Sequence, residues 1–412
     1  MYLVTIQVPI YTRGRERLIA TDWKRSLLLL RDSFGGRFGR VQVVSPSLDA
    51  RTAHADQPLE ALAIGDDIDL FPSFPLDTRA RDFWRKYLTV WTQDVRALVA
   101  KATVVHAGFY DVYRPIDFVG FLAALHANKP TVFVQDTDQV LQQTELAARA
   151  SVPFREKIRS RAYCEVFERS VRFGVANATL SLLKGRALHS RYGRYAKNAK
   201  NFHDTSYLTH EVVSSERLER RCAELLEGKR PVRLVYCGRL EARKGLDESI
   251  DALMRARSQG AEVTLDIIGD GAERAALERQ AAMLGAGTAI KFLGMRVYGP
   301  KLLSDLAEYD ALFFTPVAED TPRMIFDGYA AGLPLLGYGI EYVREREAED
   351  GAARSVPVGD ASAAAALLCA LDRDREPLVR LAKRAHEAAL YHAADAWYRR
   401  RAEWTYEAAA RF

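Results

Sequence analysis

Two short segments of the chain combine charged residues with glycine or proline in spacings that suit the binding of an anion. The first runs from Gly238 to Gly245 and places Arg239 and Lys244 directly after an apolar run. Arginine offers a planar fork of donors and lysine a point charge, and both suit a diphosphate. The N-terminus of the helix that follows would add partial positive charge. A solvated basic turn is the ordinary alternative, and the spacing alone does not decide between the two.

The second segment carries an acid at each end, Glu319 and Asp327, with seven residues between them. Pro322 is typical of the first turn of a helix. Such a helix would leave the backbone N–H groups of Arg323 and Met324 free for a phosphate, and the two acids could hold sugar hydroxyls beside it.

Ordinary helix capping by Asp320 or Thr321 would explain the same polar residues without any ligand.

Both halves of the chain alternate short apolar, β-branched runs with stretches of helical periodicity. In the first half the runs lie at 2–8, 41–44, 103–106, 131–134 and 178–183, with a polar loop around Gly14 after the first. In the second half they lie at 232–237, 263–268, 290–293 and 312–314. This alternation predicts two doubly wound α/β domains with parallel sheets. Ligands of such domains bind at the carboxyl ends of the strands.

The charged stretch from residue 211 to 230 predicts a linker between the two halves. We therefore expect an N-terminal domain over 1–210, a C-terminal domain over 231–392, and a final helix over 393–412. Trp397 and Trp404 lie seven residues apart in that helix and predict that it packs against the N-terminal domain.

Length and composition narrow the class of protein further. At about 150 residues per domain, 412 residues predict two to three domains. Apolar residues at 48 % and charged residues at 27 % exclude a disordered or collagen-like chain. The four cysteines form no CxxC pair, which fits a reducing cytoplasm. Neither a signal peptide nor a membrane-spanning run is expected.

An ordered set of motifs in the second half resembles the family 4 retaining glycosyltransferases. The set consists of Gly238-Arg239-Leu240, Lys244-Gly245, Ile268–Gly271, Lys291–Gly294, the two acids with seven residues between them, Ala331–Pro334 and Val356–Asp360. The resemblance is dense from Val232 to Asp360. It implies the GT-B fold, in which two Rossmann-like domains face a central cleft.

The resemblance also implies an activity, the transfer of a sugar from a nucleotide-diphosphate sugar to a hydroxyl of a carbohydrate or lipid-linked acceptor. Surface polysaccharide or glycolipid synthesis is the pathway it favours, and neither a cofactor nor a metal is implied. Arg239 and Lys244 match the pair that grips the diphosphate, and Glu319 matches the acid that contacts the donor sugar. Asp327 replaces the glutamate that binds the ribose and is one methylene shorter. The remaining positions implied to bind the donor are Gly238, Thr321, Arg323, Met324 and, beside the base, Gly294 and Met295.

In the first half, Asp136 aligns with a histidine common in the family and is the fourth candidate catalytic residue. An Asx turn or helix cap is the alternative. Asp136-Thr137-Asp138 matches the Asp-x-Asp pattern of a metal site. It lies in the half of the chain that the resemblance implies for the acceptor, and not in the half implied to bind the donor. His106, at the end of the preceding strand, is expected to be a satisfied polar group.

Basic residues are concentrated between residues 151 and 203. There, twelve lysines and arginines face three glutamates, with aromatic residues interleaved. This composition suits a surface for anionic lipid or a lipid-diphosphate acceptor, and therefore a cytoplasmic protein in peripheral contact with a membrane. A solvated helix face is the alternative. The sequence contains no motif of a known nucleic-acid recognition module, and a net charge of +5 is too small to indicate nucleic-acid binding.

Two other functions stay open at this stage. One is a sugar-nucleotide epimerase, which would need its own acid and base. The other is a non-catalytic binding or scaffold protein on a degenerate GT-B fold, which Asp327 and the single glycine in loop 11–17 favour. Hydrolysis of the donor without acceptor would distinguish an enzyme from a scaffold.

Overall fold

The computed structural model describes residues 1–53, 58–63, 65–148 and 153–412. These residues form two compact units. The first unit comprises Met1–His203 and Trp397–Phe412, and the second comprises Asp204–Ala396. Each unit is built on a sheet of mainly parallel strands, so the predicted α/β class with two Rossmann-like sheets is confirmed. No helix within the described ranges is both long and apolar enough to span a bilayer.

The sheet of the first unit has ten strands. They are β1 (Tyr2–Thr5), β2 (Ile10–Arg13), β3 (Glu16–Ala20), β4 (Val41–Asp49), β5 (Leu59–Ala61), β6 (Ile68–Pro75), β7 (Val104–Gly108), β8 (Thr131–Gln135), β9 (Leu180–Lys184) and β10 (Ala199–Phe202). The order β10-β9-β8-β7-β1-β4 is parallel throughout, and β6 pairs with β4. The direction of winding therefore reverses between β1 and β7.

The polar loop predicted around Gly14 is instead a β-hairpin. Strands β2 and β3 pair antiparallel, with Arg13 opposite Glu16. Gly14 supplies the positive φ of 61° that the two-residue turn needs. The charged residues that suggested a loop lie on a solvent-facing part of the hairpin, where a strand tolerates them.

Seven helices accompany this sheet in the described ranges. They are α1 (Thr21–Phe34), α2 (Ala80–Asp82), α3 (Leu88–Lys101), α4 (Ile116–His126), α5 (Gln139–Ala148), α6 (Phe154–Asn177) and α7 (Gly185–Tyr192). A π-helical turn, Phe83–Tyr87, joins α2 to α3. Ser151 and Val152, which begin the basic segment, lie outside the described residues.

The second unit contains six parallel strands in the order β13-β12-β11-β14-β15-β16. They are β11 (Val232–Cys237), β12 (Val263–Ile268), β13 (Ile290–Gly294), β14 (Ala311–Phe314), β15 (Leu335–Tyr338) and β16 (Ala353–Val356). After β13 the chain returns past β11 to form β14. The winding therefore reverses between β11 and β14, the place where open α/β sheets bind ligands.

The helices of this unit are α8 (Ser215–Leu226), α9 (Leu246–Ser258), α10 (Arg274–Met283), α11 (Pro300–Leu306), α12 (Met324–Ala330), α13 (Glu341–Asp350), α14 (Ala361–Arg373) and α15 (Glu376–His392). A last helix, α16, runs from Ala394 to Ala410, and its residues from Trp397 onward belong to the first unit.

The stretch predicted as a linker over 211–230 contains α8 and belongs to the second unit, because the division falls at residue 203 and not at 210. The buried Arg221 of α8 donates to the carbonyl oxygens of Ala307, Ala331 and Gly332. These carbonyls directly follow α11 and α12, where helix ends leave acceptors unpaired. Arg221, one of the charged residues that suggested a linker, therefore stabilises the ends of two helices in the core.

Candidate functional site

The predicted donor-binding residues gather at the carboxyl edge of the sheet in the second unit. One group follows β11 and the other follows β14, the two central strands between which the winding reverses. Met295 follows β13 at the edge of the same sheet. The topology therefore brings together residues that are 50 to 90 positions apart in the chain.

The segments after β11 and β14 are in direct contact, and Gly245 makes the closest approach possible. Gly245 has a φ of 63°, and a Cβ there would lie 1.9 Å from the backbone oxygen of Thr315. At Gly238, a Cβ would lie 3.6 Å from the sulfur of Met324, the first residue of α12, which is an ordinary van der Waals distance.

Lys244 is the buried cation of the site, with only 7 % of its surface exposed. Its Nζ forms an ion pair with the carboxylate of Asp320 and lies 5.7 Å from the centre of the Phe314 ring. Arg243 contacts the other carboxylate oxygen of Asp320 at 3.0 Å. Burial lowers the pKa of Lys244, while Asp320 opposes that shift.

Asp320 therefore has a different role from the helix cap that the sequence offered as an alternative. Helix α12 has no side-chain cap, so neither Asp320 nor Thr321 caps it. The partnership with Lys244 spans 76 residues and depends on the order of the strands. The signal that could have revealed the pair is a carboxylate in the loop after β14, since β14 lies next to β11, the strand that precedes Lys244.

Arg239 extends towards solvent, with 75 % of its side chain exposed, and contacts Glu241 at 2.8 Å. Glu241 also contacts Arg243 at 2.9 Å. The ion pairs join three cations, Arg239, Arg243 and Lys244, to two carboxylates, Glu241 and Asp320. The cluster has a formal charge of +1, and a diphosphate would have to compete with these two carboxylates for the cations.

Glu319 lies in the loop five residues beyond the end of β14. Its Oε1 accepts a hydrogen bond of 2.6 Å from the backbone N–H of Glu341, the first residue of α13. Burial raises the pKa of Glu319. The side chain predicted to hold the donor sugar therefore also caps a neighbouring helix.

Helix α12 begins at Met324, two residues after Pro322, whose carbonyl accepts a hydrogen bond from Ile325 N. Thr321 and Arg323 are exposed, and Arg323 donates to the hydroxyl of Ser206 at 3.1 Å. The helix is seven residues long, so its dipole is small.

Asp327 lies one turn inside α12 and is partly buried. The hydroxyl of Tyr298 donates to its Oδ1 at 3.3 Å, a partner that sequence reasoning missed. The nearby Cys237 thiol has a pKa raised to about 12 by burial, so it stays protonated at neutral pH. Met295 is 60 % exposed beyond Gly294, on the side of the sheet where the base was expected.

Asp136 belongs to the first unit, directly after β8, and accepts a hydrogen bond of 3.1 Å from Thr137 Oγ1. Asp138 accepts from Leu141 N at 2.9 Å and pairs with Arg191 at 3.0 Å. The second acid of the Asp-x-Asp motif therefore caps α5. His106 is buried against Tyr2, whose hydroxyl lies 3.0 Å from its Nδ1, and burial lowers its pKa to about 3.

Two Rossmann-like sheets, with charged loops at the carboxyl edge of the second, define the GT-B glycosyltransferase architecture. Residues 231–374 match the family model described as glycosyl transferases group 1. The predicted resemblance to glycosyltransferases is thereby confirmed over that part of the chain, at the level of glycosyl transferases group 1.

Solved structures resemble the chain over nearly its whole length. The chain is similar to HepE (Alr3699) of Anabaena in complex with UDP, with 16 % identity, coverage of 98 % of this chain and 99 % of that one, and a TM-score of 0.64. It is also similar to sucrose-phosphate synthase of Thermosynechococcus elongatus, with 14 % identity, coverage of 100 % and 99 %, and a TM-score of 0.67. At these identities the likeness shows the fold.

A curated relative is the GtfA subunit of the UDP-N-acetylglucosamine–peptide N-acetylglucosaminyltransferase of Streptococcus gordonii. It is 29 % identical over 126 residues, which cover 30 % of this chain and 24 % of the relative. The match thus spans about a quarter of the relative's length.

Proposed function

We propose that this chain transfers a sugar from a UDP-sugar to a hydroxyl acceptor with retention of the anomeric configuration. The observation that carries the proposal is Lys244, a buried ammonium between the carboxyl ends of β11 and β14. The family match over 231–374 covers this lysine, and the names of similar proteins mention UDP and UDP-N-acetylglucosamine.

The chemistry that these residues supply is electrostatic. Departure of the diphosphate builds negative charge, which the buried Lys244 and the exposed Arg239 neutralise. Glu319 holds a donor-sugar hydroxyl, and Asp327, positioned by Tyr298, accepts from the ribose. Because cations of the chain stabilise the leaving group, the reaction needs no metal. Retention follows from attack on the face that the diphosphate leaves.

Incubation with UDP-glucose or UDP-N-acetylglucosamine tests the proposal. We expect slow release of UDP without acceptor, unchanged by EDTA, and release of the α-anomer of the free sugar, observed by proton NMR. Release restored only by added magnesium or manganese would contradict the metal-independent mechanism. A β-anomer would contradict retention.

A nucleotide-binding protein without transferase activity is the second candidate. It is favoured by the pairing of Lys244 with Asp320 and by the contact of Glu319 with α13. Binding of UDP-sugars without any release of UDP, with or without acceptors, would select this function.

The first unit would present the acceptor, and one face of α6 would contact an anionic membrane. Phe154, Ile158, Val166 and Phe173 are 46–77 % exposed on this face. Several cations of the segment are already paired, since Arg172 and Arg191 both contact Glu168. The apolar residues are therefore expected to contribute much of the binding.

Co-sedimentation with vesicles tests the membrane contact. We expect capture by vesicles that contain phosphatidylglycerol and loss of capture in Phe154→Ser, while Val90→Ser, which changes an exposed apolar residue of α3, leaves it unchanged. Equal capture of Phe154→Ser and wild type would contradict the contact.

A further inference from the structure

A cavity of about 480 Å³ lies in the first unit, at the carboxyl edge of its sheet. Its lining comes from the loop after β7 and from helices α5 and α6, and consists of Asp111, Tyr113, Arg114, Gln143, Glu156, Arg159, Ser160 and Tyr163. This volume lies within the range of about 300–1,000 Å³ that is usual for small-molecule sites. None of these residues belongs to the donor site described above.

The polar side chains at one end of the cavity are fixed by hydrogen bonds. Asp111 accepts from the backbone of Tyr113 at 2.7 Å and from Arg114 Nε at 2.9 Å. Arg114 also donates to the carbonyl oxygens of Leu76 and Thr78. Both side chains are therefore held in place before a ligand arrives.

Aromatic rings form one wall. The rings of Tyr113 and Tyr163 have centroids 5.8 Å apart, and Tyr113 is 46 % exposed. The Tyr163 hydroxyl donates to Gln139 Oε1 at 2.7 Å, and Trp84 donates to the carbonyl of Tyr113 at 2.9 Å. Hydrogen bonds thus hold the Tyr163 ring and the backbone of Tyr113 in place.

The charges of the lining cancel, because Asp111 and Glu156 stand against Arg114 and Arg159. A site for a phosphate or diphosphate would carry a positive excess. An aromatic wall combined with acids, an arginine fork and an amide instead suits a neutral molecule with adjacent hydroxyls and apolar ring faces.

We propose that this cavity binds an uncharged saccharide, and that the chain's acceptor is therefore a neutral glycan. The assignment as acceptor site rests on the proposed transferase function, whereas saccharide binding itself does not. Tyr113 supplies ring contact, and Asp111 and Arg114 bind adjacent hydroxyls.

Saturation-transfer NMR and calorimetry with the full chain test the site without a donor. The probes are the methyl glycosides of glucose, galactose, mannose and N-acetylglucosamine, with glucose 6-phosphate and glucuronic acid as anionic probes. We expect binding of at least one neutral glycoside and about a tenfold loss in Tyr113→Ala, which corresponds to about 1.4 kcal/mol. The control Tyr406→Ala removes a ring of similar exposure, 45 %, elsewhere in the first unit and leaves binding unchanged. Binding only of the anionic probes, no binding of any glycoside, or equal affinity of Tyr113→Ala and wild type would overturn the proposal.

A transfer assay separates the two hypotheses. With a UDP-sugar and the bound glycoside, Tyr113→Ala should raise the KM for the acceptor about tenfold, while UDP release without acceptor is unchanged. An unaltered acceptor KM beside normal donor hydrolysis would remove the cavity from the acceptor site. Absence of donor hydrolysis in the wild type would instead contradict the transferase.

Discussion

Asp320 contacts both cations that face the segment after β14, Lys244 and Arg243. A nucleoside diphosphate that binds Lys244 must displace or share this carboxylate. The affinity of the site for a diphosphate therefore depends on how strongly Asp320 competes with it for Lys244. A substitution of Asp320 should change this affinity while Lys244 is kept.

Asp320→Asn should bind UDP about three- to tenfold more tightly than the wild type. The amide keeps an acceptor for the buried ammonium but removes the competing charge, and one net hydrogen bond is worth about 0.5–1.5 kcal/mol. Calorimetric titration measures the change, with Asp305→Asn, from an exposed pair with Lys301, as control. Equal or weaker binding by Asp320→Asn would show that the carboxylate does not compete with the ligand.

At the scale of elements, the site depends on the close approach of the turn before α9 to the end of β14. Thr315 Oγ1 donates to the carbonyl of Gly245 at 2.6 Å and lies 2.6 Å from the hydroxyl of Ser249. These contacts fix the start of α9, and with it the position of Lys244, against the neighbouring strand.

Gly245→Ala should lower the free energy of unfolding by about 2–5 kcal/mol. The methyl group would meet the carbonyl oxygen of Thr315, and the left-handed backbone adds a strain of its own. Gly228→Ala is the control, because Gly228 has a similar φ of 69° and no atom within 4 Å of an added Cβ. If urea denaturation gives both variants the same loss, the close approach does not contribute to stability.

The sequence allowed the elements to be predicted better than their contacts. Runs of β-branched residues located the main strands, because buried parallel strands are apolar along their whole length. The hairpin of β2 and β3 was missed because its exposed residues are charged. The partners of Lys244 and Glu319 lie 76 and 22 residues away, so only the strand order reveals them.

At the scale of the molecule, the first unit buries an acid that makes stability depend on pH. Asp117 is fully buried at the start of α4, and its Oδ2 has no hydrogen-bond partner among the residues that the structure describes. Burial raises its pKa from 3.8 to about 7. Between these values the unfolded chain binds fewer protons than the folded one, so stability falls as the pH rises from about 4 to 7.

Asp117→Asn should therefore exceed the wild type in stability by about 2–4 kcal/mol at pH 8, and the difference should disappear near pH 4. Burial lowers the pKa of His106 from 6.5 to about 3, so this histidine makes the protein less stable as the pH drops below 6.5. This effect opposes that of Asp117. Because both proteins contain His106, the difference in stability between Asp117→Asn and the wild type isolates the effect of Asp117. Urea denaturation at both pH values measures the difference. A difference independent of pH would contradict a buried, titrating Asp117.

The central claim is that Lys244 binds the diphosphate of a nucleotide. Calorimetric titration of UDP into the wild type, Lys244→Ala, Asp320→Asn and the double variant tests it most directly. The double variant is included because Lys244→Ala alone would leave the Asp320 carboxylate without its lysine partner. We predict that loss of Lys244 weakens UDP binding about ten- to a hundredfold in both backgrounds, since a charge-assisted hydrogen bond contributes about 1.5–3 kcal/mol. UDP affinity that is the same in Asp320→Asn and in the double variant would contradict the claim.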